Sequence, residues 1–584
     1  MEFKYDPTQG GFHVNVGGAQ RASKERKPRK PVGGKAVCTA INLAVTLVVA
    51  LVYFYVSLPA LNLHAEAFYG FLFVLCLVYC GCAMVTSGFQ ADGAKGYFDF
   101  AKKQCLIPAA LIAVLLVTAL AGALTSWVVL RADAYQKLLT VQPGDFASEV
   151  DEISYDQIPM LDRASAQRLG DRKLGELADM VSQFEVAENY TQINYQGRPV
   201  RVTPLRYGDV IKWFNNRANG LPAYLNIDMV TQNVEVVRLP EGMKYTTAEH
   251  FSRNLYRHLR FHYPTMMFDE PIFEIDESGT PWWVCAKREK TIGLFGGDDN
   301  RGAVLVNAIT GESSYQEQVP SWVDHVYSAD LIIQQYDYYG QYHNGFLNSL
   351  FGQRDVTVTT SGYNYLAIGD DVWVYTGVTS VGGDESNIGF LLSNQRTKET
   401  HYYAVAGAEE FSAMGSAEGQ VQQMRYSATF PLLLNIAGHP TYFMALKDAS
   451  QLVKMYAMVN VSQYQIVATG GSVMECEANY RVMLAKNGLI TDAQTEVVAA
   501  DDAERHVFSG TISDIRSAVI NGNSVYFLYL RAAGSADSGG AVFRADASRI
   551  PIAPLLSVGD EVTVSYRDVD VAQYWIDAYD IGGY

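Results

Sequence analysis

The chain has little cysteine beyond its first hundred residues, little positive charge after residue 130, and none of the short motifs that mark the common enzyme chemistries. Of its seven cysteines, Cys38, Cys76, Cys80, Cys82 and Cys105 lie in or beside apolar runs, where a thiol serves as a small packing residue. Cys285 and Cys476 remain. Neither belongs to a CxxC or Cys/His pattern, so no zinc site is expected, and whether the two pair with each other stays open. No GxSxG elbow, P-loop or GxGxxG turn occurs at a strand-helix junction, which weighs against hydrolase, nucleotide and dinucleotide chemistry. Residues 1–130 carry 11 Lys and Arg against 6 Asp and Glu, and the remainder 34 against 56, a net charge of -22. Nucleic acid is an unsuitable partner for so acidic a region.

Long apolar runs are present, and all three lie near the N-terminus. Residues 36–58, 67–87 and 106–130 hold no Lys, Arg, Asp or Glu, and each is long enough to cross a bilayer as a helix. Buried helices of globular domains are shorter and two-faced, whereas these are apolar all round. About 35 mostly polar residues precede the first run and two more runs follow it, unlike a cleaved signal peptide. The leader QRASKERKPRKPVGGK and Lys95, Lys102 and Lys103 place positive charge beside the first and third runs, while the loop SLPALNLHAEAF has none. Basic flanks stay in the cytosol, so the leader is expected inside and everything after about residue 131 outside. The runs lack the intramembrane charges and broken helices that mark a transport pathway, and read as an anchor.

The exported part alternates helical and strand patterns. Residues 164–180 have helical apolar spacing with Asp162 placed to cap the start, and FEVAENYTQINYQGRPVRVTPLRY has two strand patterns around Gln-Gly. Beyond them one arrangement recurs. It is a glycine and proline before an aromatic-bearing strand, then an apolar return strand ending in a polar turn. It is seen in NGLPAYLNIDMVTQNVEVVRL, in Gly279-Thr280-Pro281-Trp282-Trp283 with the return strand 302–307, in GDDVWVYTGV without the proline, and in Gly438-His439-Pro440-Thr441-Tyr442. Glycine permits the turn, proline fixes the next dihedral and aromatics cover a sheet face. Helical stretches precede the second and fourth copies, giving helices on antiparallel sheet.

This Gly-x-Pro-aromatic strand, with its return strand ending in VNAITGE, resembles the PepSY-type module of protease propeptides and exported bacterial proteins. The resemblance covers about residues 185–485 and implies location and architecture; it brings no catalytic residues. The layout as a whole is similar to poorly characterised membrane-anchored bacterial proteins with such repeats.

The last segment holds five strand patterns, 506–515, 524–530, 541–544, 561–566 and 574–579, with a short element before the fourth. That order is OB-like. Its acidic balance and external placement favour protein, peptide or glycan contact over single-stranded nucleic acid. The expected fold is α+β: a cytoplasmic basic leader (1–35), a three-helix transmembrane anchor (36–130), a juxtamembrane stalk with a small α+β unit (131–210), an array of PepSY-like helix-plus-antiparallel-sheet units (211–490), a linker (491–504) and a C-terminal OB-like β-barrel (505–584).

Candidate sites are sparse. Asp384, Glu385, Ser386 and Asn387, beside glycines, form a polar loop of the kind that supplies oxygen ligands to a cation, although the spacing is not that of an EF-hand and a solvated hairpin tip is the simpler account. Lys447 and Asp448 are adjacent, yet neighbouring residues on a strand point to opposite faces, and a surface pair at a strand end is the simpler account. His258 and His262 share a helix face but lack the Glu of a zincin helix. No catalytic residue, metal or cofactor is assigned. The expectation is a non-enzymatic extracytoplasmic protein of the cytoplasmic membrane that binds or scaffolds other exported or envelope proteins. The alternatives are an envelope protease regulator or inhibitor, or an enzyme with an unfamiliar site.

Overall fold

A computed structural model describes residues 3–6, 11–14, 35–90, 93–152, 158–382, 386–491, 494, 506–520, 523–532, 541–547, 550, 552–567 and 574–580. It divides into two compact units, residues 1–122 and 123–584. In the first, Lys35–Ser57, Glu66–Gln90 and Gly93–Thr125 are helices, each with a stretch long and apolar enough to cross a membrane. A few polar side chains link them. Asn42 and Thr86 share a hydrogen bond of 3.1 Å, Tyr79 donates to Gln104 (2.6 Å), and Gln104 donates to Thr39 (2.9 Å). Such contacts hold helices together where water cannot compete.

The second unit contains four sheets of one design. In each, a helix leads into a broken edge strand, a long strand, a return strand and a last strand, all antiparallel. Unit one runs from helix Arg163–Gly175 through Phe184–Val186 and Thr191–Tyr195, which both pair with Arg198–Tyr207, to Leu221–Asp228 and Val234–Met243. Unit two has helix Leu255–His262, the pieces Met267–Phe268 and Ile272–Ile275, then Pro281–Ile292, Gly296–Asn307 and Ser313–Gln316. Unit three has helix Ala329–Tyr342, Thr357–Thr359 and Asn364–Ile368, then Asp371–Ser380, Gly389–Asn394 and Thr400–Tyr403, with Gln142–Gly144 added in parallel at its edge. Unit four has helix Glu410–Gln420, Ser427–Ala428 and Leu432–Ile436, then His439–Lys447, Val453–Asn460 and Val467–Gly470, closed by helix Val473–Lys486.

Two local devices repeat with the sheets. The tight turn into each long strand has a glycine with positive φ, at Gly197 (74°), Gly279 (80°), Gly369 (64°) and Gly438 (78°), a region that favours glycine because a Cβ is strained there. The turn after each return strand begins with Asp or Asn, whose side-chain oxygen accepts backbone N–H groups two or three residues on. Asp228 accepts from Val230 and Thr231, Asn307 from Ile309 and Thr310, Asn394 from Arg396 and Thr397, and Asn460 from Gln463. Where three units place proline after the glycine, unit three has Asp371, held by Arg396 at 2.6 and 2.8 Å.

The first copy differs from the expectation. Gly220 does not open a hairpin; helix Val210–Asn216 sits between the arms of the unit-one hairpin, and Gly220 (φ 77°) follows its end, a common use of glycine. The matching turn is Gln196-Gly197-Arg198-Pro199, and Arg198–Tyr207 pairs with Leu221–Asp228. The boundary expected at 210/211 therefore falls inside one sheet.

Units one and two share a hydrophobic core that includes Tyr224, Leu225, Phe273 and Trp283. Units three and four share another around Phe390, Tyr442, Met458 and Tyr480. Cys285 is buried in the first and Cys476 in the second, both as free thiols. After the last apolar helix, helix Val128–Gln136 meets unit three, with Tyr135 against Tyr338 at 4.8 Å between ring centroids. The five C-terminal strands, His506–Ile520, Asn523–Ala532, Ala541–Asp546, Glu561–Arg567 and Tyr574–Asp580, close into a barrel in the order one-two-three-five-four. The linker expected at 491–504 lies mostly outside the described residues.

Candidate functional site

The residues singled out by sequence are placed in structural roles. Asp384 and Glu385 lie outside the described residues. Ser386 and Asn387 pair with Gly407–Ala408 as a short ladder. Asn387 is buried and donates to the Tyr442 hydroxyl at 2.8 Å, which in turn donates to the Ala408 carbonyl at 2.9 Å, so it links units three and four. Lys447 and Asp448 are separated by the strand's alternation, and Lys447 is not at the surface. It is buried and donates to Asp162 at 2.7 Å, while Asp448 accepts the N–H groups of Ser450 and Leu452 in the following turn. Burial alone would raise the Asp162 carboxyl; hydrogen bonds from Lys447 and Ser165 outweigh it and hold the group below the usual carboxylate range. Asp162 caps helix Arg163–Gly175 through Ser165 N–H at 3.0 Å, as expected from the sequence. The His258 and His262 rings lie 4.2 Å apart, and no group of three metal-ligating side chains is found among the described residues.

A different place collects buried polar groups. Where strands Thr191–Tyr195 and Arg198–Tyr207 meet Ile272–Ile275 and the start of helix Ala329–Tyr342, there is a cavity of about 710 Å³, within the range of small-molecule sites. Val200 and Val202 turn to the shared core, and strand alternation then puts Arg201 on the cavity side. Arg201 is only 6% exposed. Its guanidinium donates to the Tyr190 carbonyl at 3.4 Å and the Gln192 side-chain oxygen at 3.3 Å, and its Nε has no partner. Gln192, 2% exposed, likewise leaves its Nε2 unpaired. Burial lowers the Arg201 pKa to about 10, with Tyr365 and Asp162 opposing the shift. The group is therefore a cation at neutral pH, and its hydrogen bonds run to neutral oxygens, an expensive arrangement for a buried charge.

Beside it, Glu274 is fully buried and accepts the backbone N–H groups of Asp324 (2.9 Å) and His325 (3.0 Å) and a 2.9 Å contact from His325 Nδ1. Asp324 accepts from the Asn194 N–H at 2.8 Å, and Asn194 donates to the Gly369 carbonyl at 2.9 Å. Burial first, then the Glu274 charge, pushes the Asp324 carboxyl well above its ordinary range. This network joins units one, two and three through polar atoms, between the two hydrophobic cores. A carboxylate-fixed imidazole and an under-bonded guanidinium at one cavity can bind anionic or polar groups and can relay a proton.

Sequence reasoning passed over Arg201, and a signal was available. Two residues beyond the proline position the four units carry Arg201, Trp283, Trp373 and Tyr442. A charge where the repeat calls for an aromatic ring is the departure from pattern.

No family model matches the chain, and no curated protein sequence matches it. Among solved structures it aligns with a protein from Bacteroides thetaiotaomicron proposed to be a glycosidase, at 8% identity and a TM-score of 0.17, over 70% of this chain and 96% of that one. A protein from Parabacteroides distasonis proposed to be a glycoside hydrolase aligns at 10% identity and 0.16, over 70% and 97%. A levansucrase variant from B. megaterium aligns at 9% and 0.14, over 77% and 98%. Overlaps this shallow carry no argument about fold or chemistry.

Proposed function

We propose that the chain is a membrane-anchored binding protein of the cell envelope, held in the cytoplasmic membrane with its basic leader in the cytosol and residues after about 131 outside. The PepSY-like units and the OB-like barrel hold other exported proteins or envelope components, and the cavity beside Arg201 takes a ligand. The observation that carries this reading is a large cavity lined by a buried guanidinium with unused bonding capacity, a feature that the cores of these units do not need for their own packing. The fourfold repeat of one sheet design and the barrel's one-two-three-five-four strand order support the architecture. Two experiments test it. Protease added to intact spheroplasts is expected to cut the region after residue 131; protection of that region overturns the orientation. A photo-crosslinker at Gln334, on the cavity wall, is expected to capture an envelope component in cells, and absence of any adduct overturns the binding role.

A second reading, an enzyme with an unfamiliar site, is favoured by one observation: His325 lines the cavity with its Nδ1 fixed by Glu274, an arrangement that orients an imidazole for proton transfer. Turnover of a captured ligand by the native protein, lost in His325→Gln with binding retained, would replace the binding reading with this one. The third reading, a protease regulator, requires the purified full chain to change the activity of a co-purifying peptidase.

A further inference from the structure

The charges around the cavity are arranged by depth. Four acidic and three basic side chains line it, but several neutralise one another. Arg288 pairs with Asp269, and Asp298 pairs with Lys290 at 2.7 Å. What remains is Arg201 within, and Arg163, Glu270 and Asp330 exposed at the margin. Glu270 and Asp330 have no salt bridge among the described residues. Apolar side chains, including Ile272, Phe273 and Leu331, also line it.

We propose that this cavity binds a small zwitterion, an amino acid or short peptide, with its carboxylate on Arg201 and Gln192 and its ammonium group toward Glu270 and Asp330. The proposal rests on the binding reading above and gives it a ligand class. The unpartnered Nε of Arg201 and Nε2 of Gln192 are donors nine-tenths or more buried. A carboxylate that reached these two covered donors would accept from both and place a counter-charge directly on the guanidinium, which Asp162 influences only through space. Guanidinium and carboxylate match in plane and spacing. At the margin the two acids outnumber Arg163, which disfavours a multiply charged anion such as a phosphate ester and suits a ligand whose far end is positive. The apolar part of the lining accommodates side chains. The polarity also separates unit one from its sisters: Trp283 and Tyr442, at the equivalent strand position, are fully buried in hydrophobic cores, so the change to arginine converts a packing position into a recognition position.

The test uses the full chain in nanodiscs, incubated with a tripeptide library bearing free C-termini and with the same library amidated at the C-terminus, and reads retained peptides by mass spectrometry. Free-acid peptides are expected to be retained over their amides by about tenfold or more, the worth of a charge-assisted hydrogen bond in a buried site. Arg201→Met, which preserves bulk, is expected to abolish that preference, and its circular dichroism and melting midpoint report whether it folds. Should it unfold, Gln192→Leu is expected to reduce the preference several-fold in its place. Glu270→Gln combined with Asp330→Asn is expected to weaken retention of peptides with free N-termini but not of N-acetylated ones. Equal retention of acids and amides would overturn the carboxylate assignment while leaving a binding cavity intact. Retention of neither library would overturn the peptide class, and the Gln334 crosslink then judges the binding role by itself. Competition by inorganic phosphate but not by acetate would overturn the carboxylate in favour of a phosphate group.

Discussion

At the scale of single residues, a half-buried carboxylate and a fully buried one, with opposite shifts, give opposite pH behaviour. Asp162 is held below the usual range by Lys447 and Ser165, so its contribution to stability is present above the carboxylate pKa of the unfolded chain and is lost as pH falls through the depressed folded value. Lys447→Met is therefore expected to destabilise the four-sheet region at neutral pH by about 2 kcal/mol, less than a fully buried pair because Asp162 is partly exposed. The difference should vanish in urea titrations taken below the carboxylate range. Asp324 is shifted upward by burial and by Glu274. The unfolded chain gives up this proton first, so stability is eroded as pH rises above the ordinary carboxylate pKa. Asp324→Asn keeps an acceptor for the Asn194 N–H and removes the charge. It is expected to raise stability at pH 7 by about 1–2 kcal/mol and to be neutral near pH 4, measured as melting midpoint against pH. A lower midpoint at pH 7 would show that the carboxylate is a needed partner.

At the scale of elements, the glycine turn and the Asx turn are what the four sheets have in common. Gly438 has a φ of 78° and open space where a Cβ would go, so Gly438→Ala meets backbone strain alone and is expected to cost about 1 kcal/mol, read from the urea midpoint. Asn307→Ala removes an acceptor used by two N–H groups. Most strands were legible because apolar runs are bracketed by these turns: the five barrel strands begin within a residue of the expected positions. The first repeat was misplaced for a local reason. Helix Val210–Asn216 interrupts its hairpin, and the glycine ending that helix stands two residues before Pro222, imitating the motif. Helix Leu255–His262, the helical stretch expected before the second copy, starts where Asn254 caps it through the Arg257 N–H.

At the scale of the whole molecule, residues 163–486 are built of two pairs of sheets, each pair closed around its own apolar core, with polar contacts among units one, two and three. Hydrophobic burial gives each pair its stability, whereas Asn194, Asp324 and Glu274 fix how units one to three register with one another. Hydrogen exchange should then show two protected blocks, within about residues 190–310 and 365–480, with the connector 323–326 less protected. Asn194→Ala removes the side-chain donor to the Gly369 carbonyl but keeps the backbone N–H that Asp324 accepts, and is expected to speed exchange about tenfold around 369 while leaving both cores protected. Uniform loss of protection throughout would mean that the pairs fold as one unit. The acidic excess of this region favours solubility and has no part in specifying the fold.

The sequence by itself determined the three apolar helices, the recurrence of a glycine-turn hairpin and the five strands of the barrel, because length, hydropathy and turn chemistry are local properties of consecutive residues. The tertiary structure alone decided that Lys447 reaches Asp162 rather than its neighbour, that Asn387 is interior, and that Arg201, Gln192, Glu274 and His325 border one cavity. Those contacts join residues far apart in the chain, and what a side chain meets there depends on how sheets are packed, which no window of sequence contains.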